Sequence, residues 1–470
     1  MATVSNRITD LGKYTSFSLE RCLHHKIKSR VLDEGGVYSP LSVSLIIPTK
    51  FEEEPEIERE ALRRTLSECS ELVDVGYLDE IVVMDATKDK NGKSDFRVLQ
   101  RVVEVAYEEL GLFKEQVNLL NKYRSQNERA KRGFIDFFIK VVHQFDDNIL
   151  KALAKFGLFG FTRSLRVPSG KGAALWLSVP VTAGDILCFV DSDILNFKKE
   201  FVTALCHPIV YSWNLREAAI KFVKAYYSRL TKTPSLSPEE AILGGRVCRL
   251  FTTPFIDSIT ECLGLYTPLK TIKYPLAGEF ALSRDTIQKL SFPSEYSVEI
   301  HLLFQLLDLI GSTTIAQVDL EIFHHIGKEF SELEDITRQV GNCILERLVD
   351  KRGKALTEQE IEEILLTYQE EATKKIEKSE ELISDLKETA ELEGLKEIIY
   401  SKEEEEKRFQ ALLKRSEDIL SQEVSSDNIM LPSWRQIKEK TQDYFIIREV
   451  LRKRSNQSTW SRLKECSLVS

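Results

Sequence analysis

Apolar and polar positions fall in blocks along the chain. Residues 41–49, LSVSLIIPT, form a short Val/Ile/Leu-rich run that Pro48 brings to a close, the pattern of a buried strand. In 54–77 the apolar residues Ile57, Ala61, Leu62 and Leu66 recur at helical spacing. Residues 80–87, EIVVMDAT, are a second apolar run that ends on an acid. DKNGKSD (89–95) is turn-rich, and 97–110 is helical again. This strand–helix–strand–helix order predicts an α/β unit with parallel strands buried on both faces. Residues 112–160 interrupt it. There Val117, Leu120 and Tyr123, then Phe134, Phe137, Phe138, Val141 and Val142, recur at helical spacing, which predicts a helical insertion serving as scaffold, lid or partner face.

The alternation resumes at 169–184 and again at 185–194, where the strand ILCFV runs straight into Asp191, Ser192 and Asp193. Residues 218–229 read as a strand, 244–262 as a loop leading into a helix, and 274–285 as a loop with a short strand. Residues 297–311 form an amphipathic helix ended by Gly311, and 313–325 a late strand closing on His324 and His325. From about residue 327 the texture changes. Residues 356–415 have few aromatics and many Glu/Lys pairs near i,i+4, the mark of solvated helical faces. Two or three helices are expected there, packed on the core or pairing with a second copy in a homodimer. Residues 1–40 read as a polar, partly helical leader ending at Gly35-Gly36. The expected organisation is a leader over 1–40, an α/β domain over 41–330 and a charged helical region over 331–470.

Charge and cysteine usage narrow the function. The formal net charge is −9, which argues against a general nucleic-acid binder. The eight cysteines form no C-x-x-C pair, so a zinc ribbon or thioredoxin motif is not expected, and several lie inside apolar runs. The sequence MATVSNRITDLGKY has no apolar core of a signal peptide, and no run reaches about 18 apolar residues. A cytoplasmic protein with reduced thiols and no membrane partner is expected.

Five positions carry candidate chemistry. Asp191 and Asp193 follow a buried strand, at the sheet edge where α/β folds bind ligands. Two hard oxygen donors there suit Mg²⁺ or Mn²⁺ bridging a diphosphate, although acids also cap strands. Gly170-Lys171-Gly172 precedes a helix; it offers a point charge to phosphate or is a turn, and it lacks Walker spacing. Asp85 ends a strand at the same kind of edge, suited to a ribose hydroxyl or a base, or to a cap. His324 and His325 alternate on a strand, so at most one can join Asp193 at a metal. Gly244-Gly245-Arg246 can clamp a carboxylate or phosphate, or form a loop salt bridge.

Six segments in order, SGKGAALW, DILCFVDSD, FVKAYYSR, GGRVCRLFTTP, PLAGEFALSRD and YSVEIHLLFQLLDLIGSTTIAQVDLEIFHH, resemble the glucosyl-3-phosphoglycerate synthases, retaining enzymes of glycosyltransferase family 81. The resemblance covers roughly residues 40–345 without 112–160. It implies a GT-A (Rossmann-like, nucleotide-sugar-binding) α/β fold, here with a helical insertion and a helical C-terminal extension. It also implies glucose transfer from UDP-glucose or GDP-glucose to a small acidic acceptor, 3-phosphoglycerate, on the way to glucosylglycerate, a compatible solute or polysaccharide primer. By resemblance Pro48, Thr49, Glu52 and Asp85 hold the nucleotide base and ribose. Lys171 lies beside the donor, with Asp191 and Ser192. Asp193 and His325 bind the metal. Gly244, Gly245, Arg246 and Cys248 form the acceptor loop, Glu279 is an acid near the donor sugar, and Glu299 falls on another acid of the YSVEI stretch; Glu279, Lys171 and Arg246 are the expected catalytic residues.

The chain departs from the family pattern in its acceptor half. Cys248 stands where a threonine is usual, and Phe323 and Gly327 where an arginine and an asparagine flank the metal histidine. Ala173-Ala174-Leu175-Trp176 replaces E-A-L-W, and P-T-K-F-E replaces P-A-x-N-E. A lost charged contact removes about 1.5–3 kcal/mol, so an unphosphorylated acceptor such as glycerate is a second expectation. A non-catalytic nucleotide-sugar-binding scaffold is a third. A nucleotidyltransferase would want a basic, Gly-rich loop where PTKFEEE is acidic.

Overall fold

A ten-stranded mixed sheet forms the centre of the molecule. The computed structural model describes residues 14–18, 41–51, 56–74, 77–111, 137–155, 157, 170–213, 219–233, 236–327, 330–421, 429–441 and 443–468. Glu52, most of the 1–40 leader and residues 112–136 of the expected insertion, with Val117, Leu120, Tyr123 and Phe134, lie outside the described residues.

The sheet begins as the hydrophobic pattern predicts. Strand β2 (Val43–Thr49) pairs in parallel with β3 (Glu80–Asp85). Helix α1 (Glu56–Asp74) connects them, and α2 (Arg97–Glu104) follows β3. The next strand corrects the sequence reading. Within 112–160, Ile139–His143 is a strand, β4, parallel to β3 at the sheet edge, and Asp147–Lys155 is a helix, α3. Ile139–His143 is buried on both strand faces, with Lys140 paired to Glu80, and such a run has no period that separates it from a buried helix. Within 1–40, Tyr14–Ser18 forms a strand, β1, at the opposite edge.

Helix α4 (Lys171–Val181) leads to β5 (Ile186–Phe189), which pairs with β2, and α5 (Lys199–Ser212) follows. Beyond β5 the direction reverses. Strand β8 (Phe280–Ser283) runs antiparallel to both β5 and β6 (Phe222–Lys232). The long β9 (Ile315–Ile326) lies parallel to β6 and carries β1 on its far side. The order is therefore β1-β9-β6-β8-β5-β2-β3-β4, with β7 (Glu240–Leu243) on the end of β6. Helices α6 (Thr253–Leu263) and α7 (Val298–Ile310) cover one face.

The C-terminal helices α8 (Phe330–Arg352), α9 (Glu358–Glu377), α10 (Ser379–Leu392), α11 (Lys402–Ser421), α12 (Trp434–Lys440) and α13 (Tyr444–Glu465) pack on this core. The buried Tyr368 of α9 donates to the Leu250 carbonyl at 2.9 Å. Residues Glu397–Ile399, between α10 and α11, add a strand beside β7. Helix α13 closes the exposed edge of β4: the backbone N–H groups of Phe137 and Val141 donate to Asn456 Oδ1 at 2.8 Å and Thr459 Oγ1 at 3.0 Å. An open edge strand is an aggregation hazard, and side-chain acceptors on a covering helix remove it. Among the described residues no helix is long and apolar enough to cross a membrane, and the seven described cysteines form no disulfide with one another.

Candidate active site

Two clefts open at the carboxyl ends of the parallel strands. One is lined by Pro48, Thr49, Lys50, Phe51, Ala86 and Ser192. The other is lined by Arg229, Thr231, Gly244, Gly245, Arg246 and Cys248, with an apolar wall that includes Leu333 and Ile336 of α8. Lys171, Asp191, Asp193 and Tyr296 line both.

Lys171 is the first residue of α4. The helix start is fixed by close backbone approach, since a Cβ on Gly172 would run into the Pro293 carbonyl. The flanking glycine therefore serves packing against 293–295. The Lys171 ammonium lies 2.7 Å from Asp191 Oδ1 and 2.7 Å from Glu299 Oε1. Burial pulls its pKa down, but the two carboxylates outweigh burial and hold it well above an ordinary lysine.

Asp191 is held from behind. Its backbone N–H points to Glu279 Oε1 at 3.4 Å, and the other Glu279 oxygen accepts from Tyr227 OH at 2.8 Å. Glu279 is fully buried, lines neither cleft, and is pushed up to about 7 by burial and then by Asp191. Lys224, buried on β6, donates to the Ala277 carbonyl at 2.5 Å, and burial lowers it to about 8.

Asp193 and His325 meet across a stitched pair of chain segments. The Leu195 N–H donates to the His324 carbonyl at 2.8 Å, and Asn196 Oδ1 accepts the His324 N–H at 2.9 Å. His325 Nδ1 lies 3.3 Å from Asp193 Oδ1, off the line of a good hydrogen bond. Both His325 ring nitrogens are buried without a hydrogen-bond partner, and burial keeps the ring neutral by lowering its pKa. The carboxylate that acts on His324 is Glu393 rather than Asp193. Among the described residues no three His, Cys, Asp or Glu converge as a metal cage. A two-residue site is what Mg²⁺ or Mn²⁺ uses when substrate phosphates and water complete its shell.

Asp85 lies behind the first cleft rather than in it. Its Oδ1 accepts from Thr49 Oγ1 at 2.8 Å and Thr87 Oγ1 at 2.7 Å, while Oδ2 is buried without a hydrogen bond, 3.7 Å from His143 Nε2. Burial pushes this carboxyl up to about 7. His143 Nδ1 accepts the Phe145 N–H at 3.1 Å, so Nε2 carries the proton and donates to the Thr87 carbonyl at 2.8 Å.

In the second cleft Arg246 has its Nε buried without a partner. Cys248 Sγ lies 3.8 Å from Thr253 Oγ1. Phe323 does not reach the cleft; it is fully buried and stacks on Tyr227 at 4.0 Å. Arg229 was not singled out from the sequence. It lies on β6 and is raised, despite burial, by Tyr274 and Asp193. The signal was available in FVKAYYSR, where two cations sit in a strand that is otherwise apolar and aromatic. Such charges in a central strand are rare without a partner.

Parallel strands reversing into an antiparallel one, with D-x-D where the sheet changes direction, define a GT-A type α/β protein. No protein-family model matches the sequence. The chain is 35% identical over 220 residues to glucosyl-3-phosphoglycerate synthase of Mycobacterium tuberculosis (strain ATCC 25618 / H37Rv), an alignment covering 45% of this chain and 64% of that protein. It is 30% identical over 269 residues to glucosyl-3-phosphoglycerate synthase of Petrotoga mobilis, covering 57% of this chain and 76% of that one. It also resembles a crystal structure of the M. tuberculosis enzyme in complex with Mn²⁺, UDP-glucose and phosphoglyceric acid, with a TM-score of 0.46 and 26% identity over 72% of this chain and 88% of that one. The chain spans a little under two thirds of the length of the mycobacterial relatives. It belongs to the glucosyl-3-phosphoglycerate synthase family.

Proposed function

We propose that this chain transfers glucose, with retention, from a nucleoside diphosphate glucose to 3-phosphoglycerate. The observation that carries the reading is Lys171, which bridges Asp191 and Glu299 where the two clefts meet. Its charge is held at the boundary between a cleft suited to a nucleotide and a cleft carrying Arg246. Family membership supports the same reaction, since the relatives carry the name of that product.

The residues divide the work by position. Pro48, Thr49 and Ser192 line the donor cleft, with Asp85 bracing Thr49 from behind. Asp193 and His325 would hold Mg²⁺ or Mn²⁺, which supplies charge neutralisation for a departing diphosphate. His325 Nδ1, buried without a hydrogen bond and 3.3 Å from Asp193 Oδ1, fits such an ion. Lys171 offsets negative charge on the leaving group, an electrostatic role built in before reaction. Arg246, with its unpartnered Nε, meets the acceptor's anionic group. The leaving phosphate oxygen takes the proton of the attacking hydroxyl, so no side-chain nucleophile is needed. Glu279 acts from behind by orienting Asp191.

A second reading concerns the acceptor alone. Cys248 lines the cleft where a hydroxyl is usual, and Phe323 is committed to an aromatic stack. Both favour an acceptor with fewer polar contacts, such as glycerate. Seven described cysteines without a disulfide among them suit the cytoplasm. A homodimer would use the outer face of the C-terminal helices, where Leu366 and Leu392 are exposed.

The test is product formation by purified protein with Mg²⁺ or Mn²⁺ and a panel of UDP- and GDP-sugars against 3-phosphoglycerate and glycerate, read by mass spectrometry. A glucosyl-3-phosphoglycerate mass supports the first reading, and product with glycerate alone supports the second. Metal-dependent turnover surviving in Asp193→Ala would overturn the assigned metal site.

A further inference from the structure

We propose that Glu405, on C-terminal helix α11, is a positioning residue for the acceptor loop: it holds Arg249, and through Arg249 the backbone that carries Arg246. The inference rests on the proposed role of Arg246 in meeting the acceptor's anion.

Glu405 follows Glu403 and Glu404 in the first turn of α11, and those two face solvent. Glu405 alone is buried, at 2% exposure. A carboxylate is buried at a cost unless a cation meets it. The cation is Arg249, whose Nη1 lies 2.6 Å from Glu405 Oε2 and also donates to Ser379 Oγ at 3.1 Å. Ser379 begins α10, so Arg249 is gripped by two C-terminal helices.

Arg249 is three residues after Arg246, and the stretch between them is stiff. Val247–Thr252 is wound as a single wide turn of π-helix, a rare geometry frequent at functional sites. The Arg249 N–H donates to the Gly245 carbonyl at 2.8 Å, and Thr252 Oγ1 donates to the Val247 carbonyl at 3.1 Å. A pull on the Arg249 side chain therefore fixes the turn that presents Gly244, Gly245 and Arg246 to the cleft. Charge adds to the effect. Arg408, also on α11, pairs with Glu404 at 2.8 Å and lies 3.8 Å from Glu405 Oε1, so two arginines and two carboxylates neighbour Arg246. Those four charges balance, and Arg246 is the cation that an incoming anion meets.

The experiment compares the full chain with Glu405→Gln and with the double variant Glu405→Gln/Arg249→Gln. The single change leaves Arg249 uncompensated and lowers the melting temperature. The double change removes both charges and restores much of it. The acceptor KM is expected to rise roughly tenfold in both variants, with donor KM unchanged. A double variant that recovers the wild-type acceptor KM along with its melting temperature overturns the proposal, as does an equal rise in donor KM. A turnover-free arm separates this proposal from the functional reading. Calorimetric titration with inorganic phosphate should show roughly tenfold weaker binding in the double variant whether or not 3-phosphoglycerate is the acceptor. Equal phosphate binding in the two proteins sinks the proposal.

Discussion

The ammonium of Lys171 lies 2.7 Å from Asp191 Oδ1, so the first residue of α4 and the first carboxylate of the D-x-D are one ion pair. Glu299 completes it from α7. Asp191 is thereby committed to the lysine, whereas Asp193 lies beside His325 and acts on Arg229. The two acids of the motif have different neighbours although one residue divides them.

Removing the lysine should expose this division. Lys171→Met leaves Asp191 and Glu299 facing each other without a counter-charge. Turnover at saturating substrates is expected to fall by about 10²–10³, the usual loss for one electrostatic stabiliser, and thermal stability to fall with it. Lys171→Arg should not restore turnover, because a planar fork cannot take the place of a point charge shared by two carboxylates. Steady-state kinetics with a melting curve for each variant checks both statements.

Gly278→Ala tests the position of Asp191 without touching a charge. A Cβ at Gly278 would run into the Asp191 carboxylate, and Gly278 lies in the loop that Lys224 braces at Ala277. Overpacking of this kind costs about 1–3 kcal/mol, so the protein should still fold. Activity should fall further than stability does, because the displaced group is the partner of Lys171. A variant with wild-type turnover would show that the Lys171–Asp191 contact is dispensable.

Asp85 predicts a pH dependence of stability. Its carboxyl is raised by burial to about 7 from an ordinary value of 3.8, so the folded state favours the protonated form. The penalty for ionising it in place is absent below pH 3.8, grows as pH rises, and is complete above about 7. Each tenfold change in an ionisation equilibrium is worth about 1.4 kcal/mol, which sets the upper bound of the penalty at about 4 kcal/mol. Asp85→Asn keeps an acceptor for Thr49 and Thr87 and cannot ionise. Urea unfolding between about pH 4 and 8 should therefore show the variant gaining on the wild type as pH rises. A constant difference across that range would refute the assignment.

Periodicity carried the strands that build the site, and motif order carried the family. Both work where the environment is uniform: β2, β3 and β5 are buried on both faces, so they read as plain apolar runs. The misreading of Ile139–His143 has the same cause, because an apolar run with no alternation fits a strand or a buried helix equally. The partners of Lys171, and the behaviour of Arg229, Tyr227 and Lys224, depend on strands far apart in sequence lying side by side. Phe222–Lys232 pairs with both Phe280–Ser283 and Ile315–Ile326, and only that juxtaposition sets Tyr227 against Glu279. The C-terminal helices looked solvated because their charged faces dominate the composition. Their buried faces are narrow stripes at helical spacing, as at Ile364, Tyr368, Ala372 and Ile376 of α9.

Trp434 tests whether that C-terminal region and the α/β core are one cooperative unit. Its ring is fully buried and stacks on Trp176 of α4 with centroids 4.5 Å apart. Trp434 Nε1 donates to the Trp176 carbonyl at 2.8 Å, and Trp176 Nε1 donates to the Pro432 carbonyl at 2.7 Å. The two indoles thus satisfy their only donors across the junction, so neither can be truncated without opening a cavity and leaving a carbonyl unpaired. Trp434→Ala should cost about 3–5 kcal/mol and lower a single unfolding transition rather than split it. Trp176 shares α4 with Lys171, so the donor KM should also rise in the folded fraction. Two separate transitions in the urea curve of the variant, the second at the wild-type midpoint, would mean that the C-terminal helices dock on a core that is stable without them.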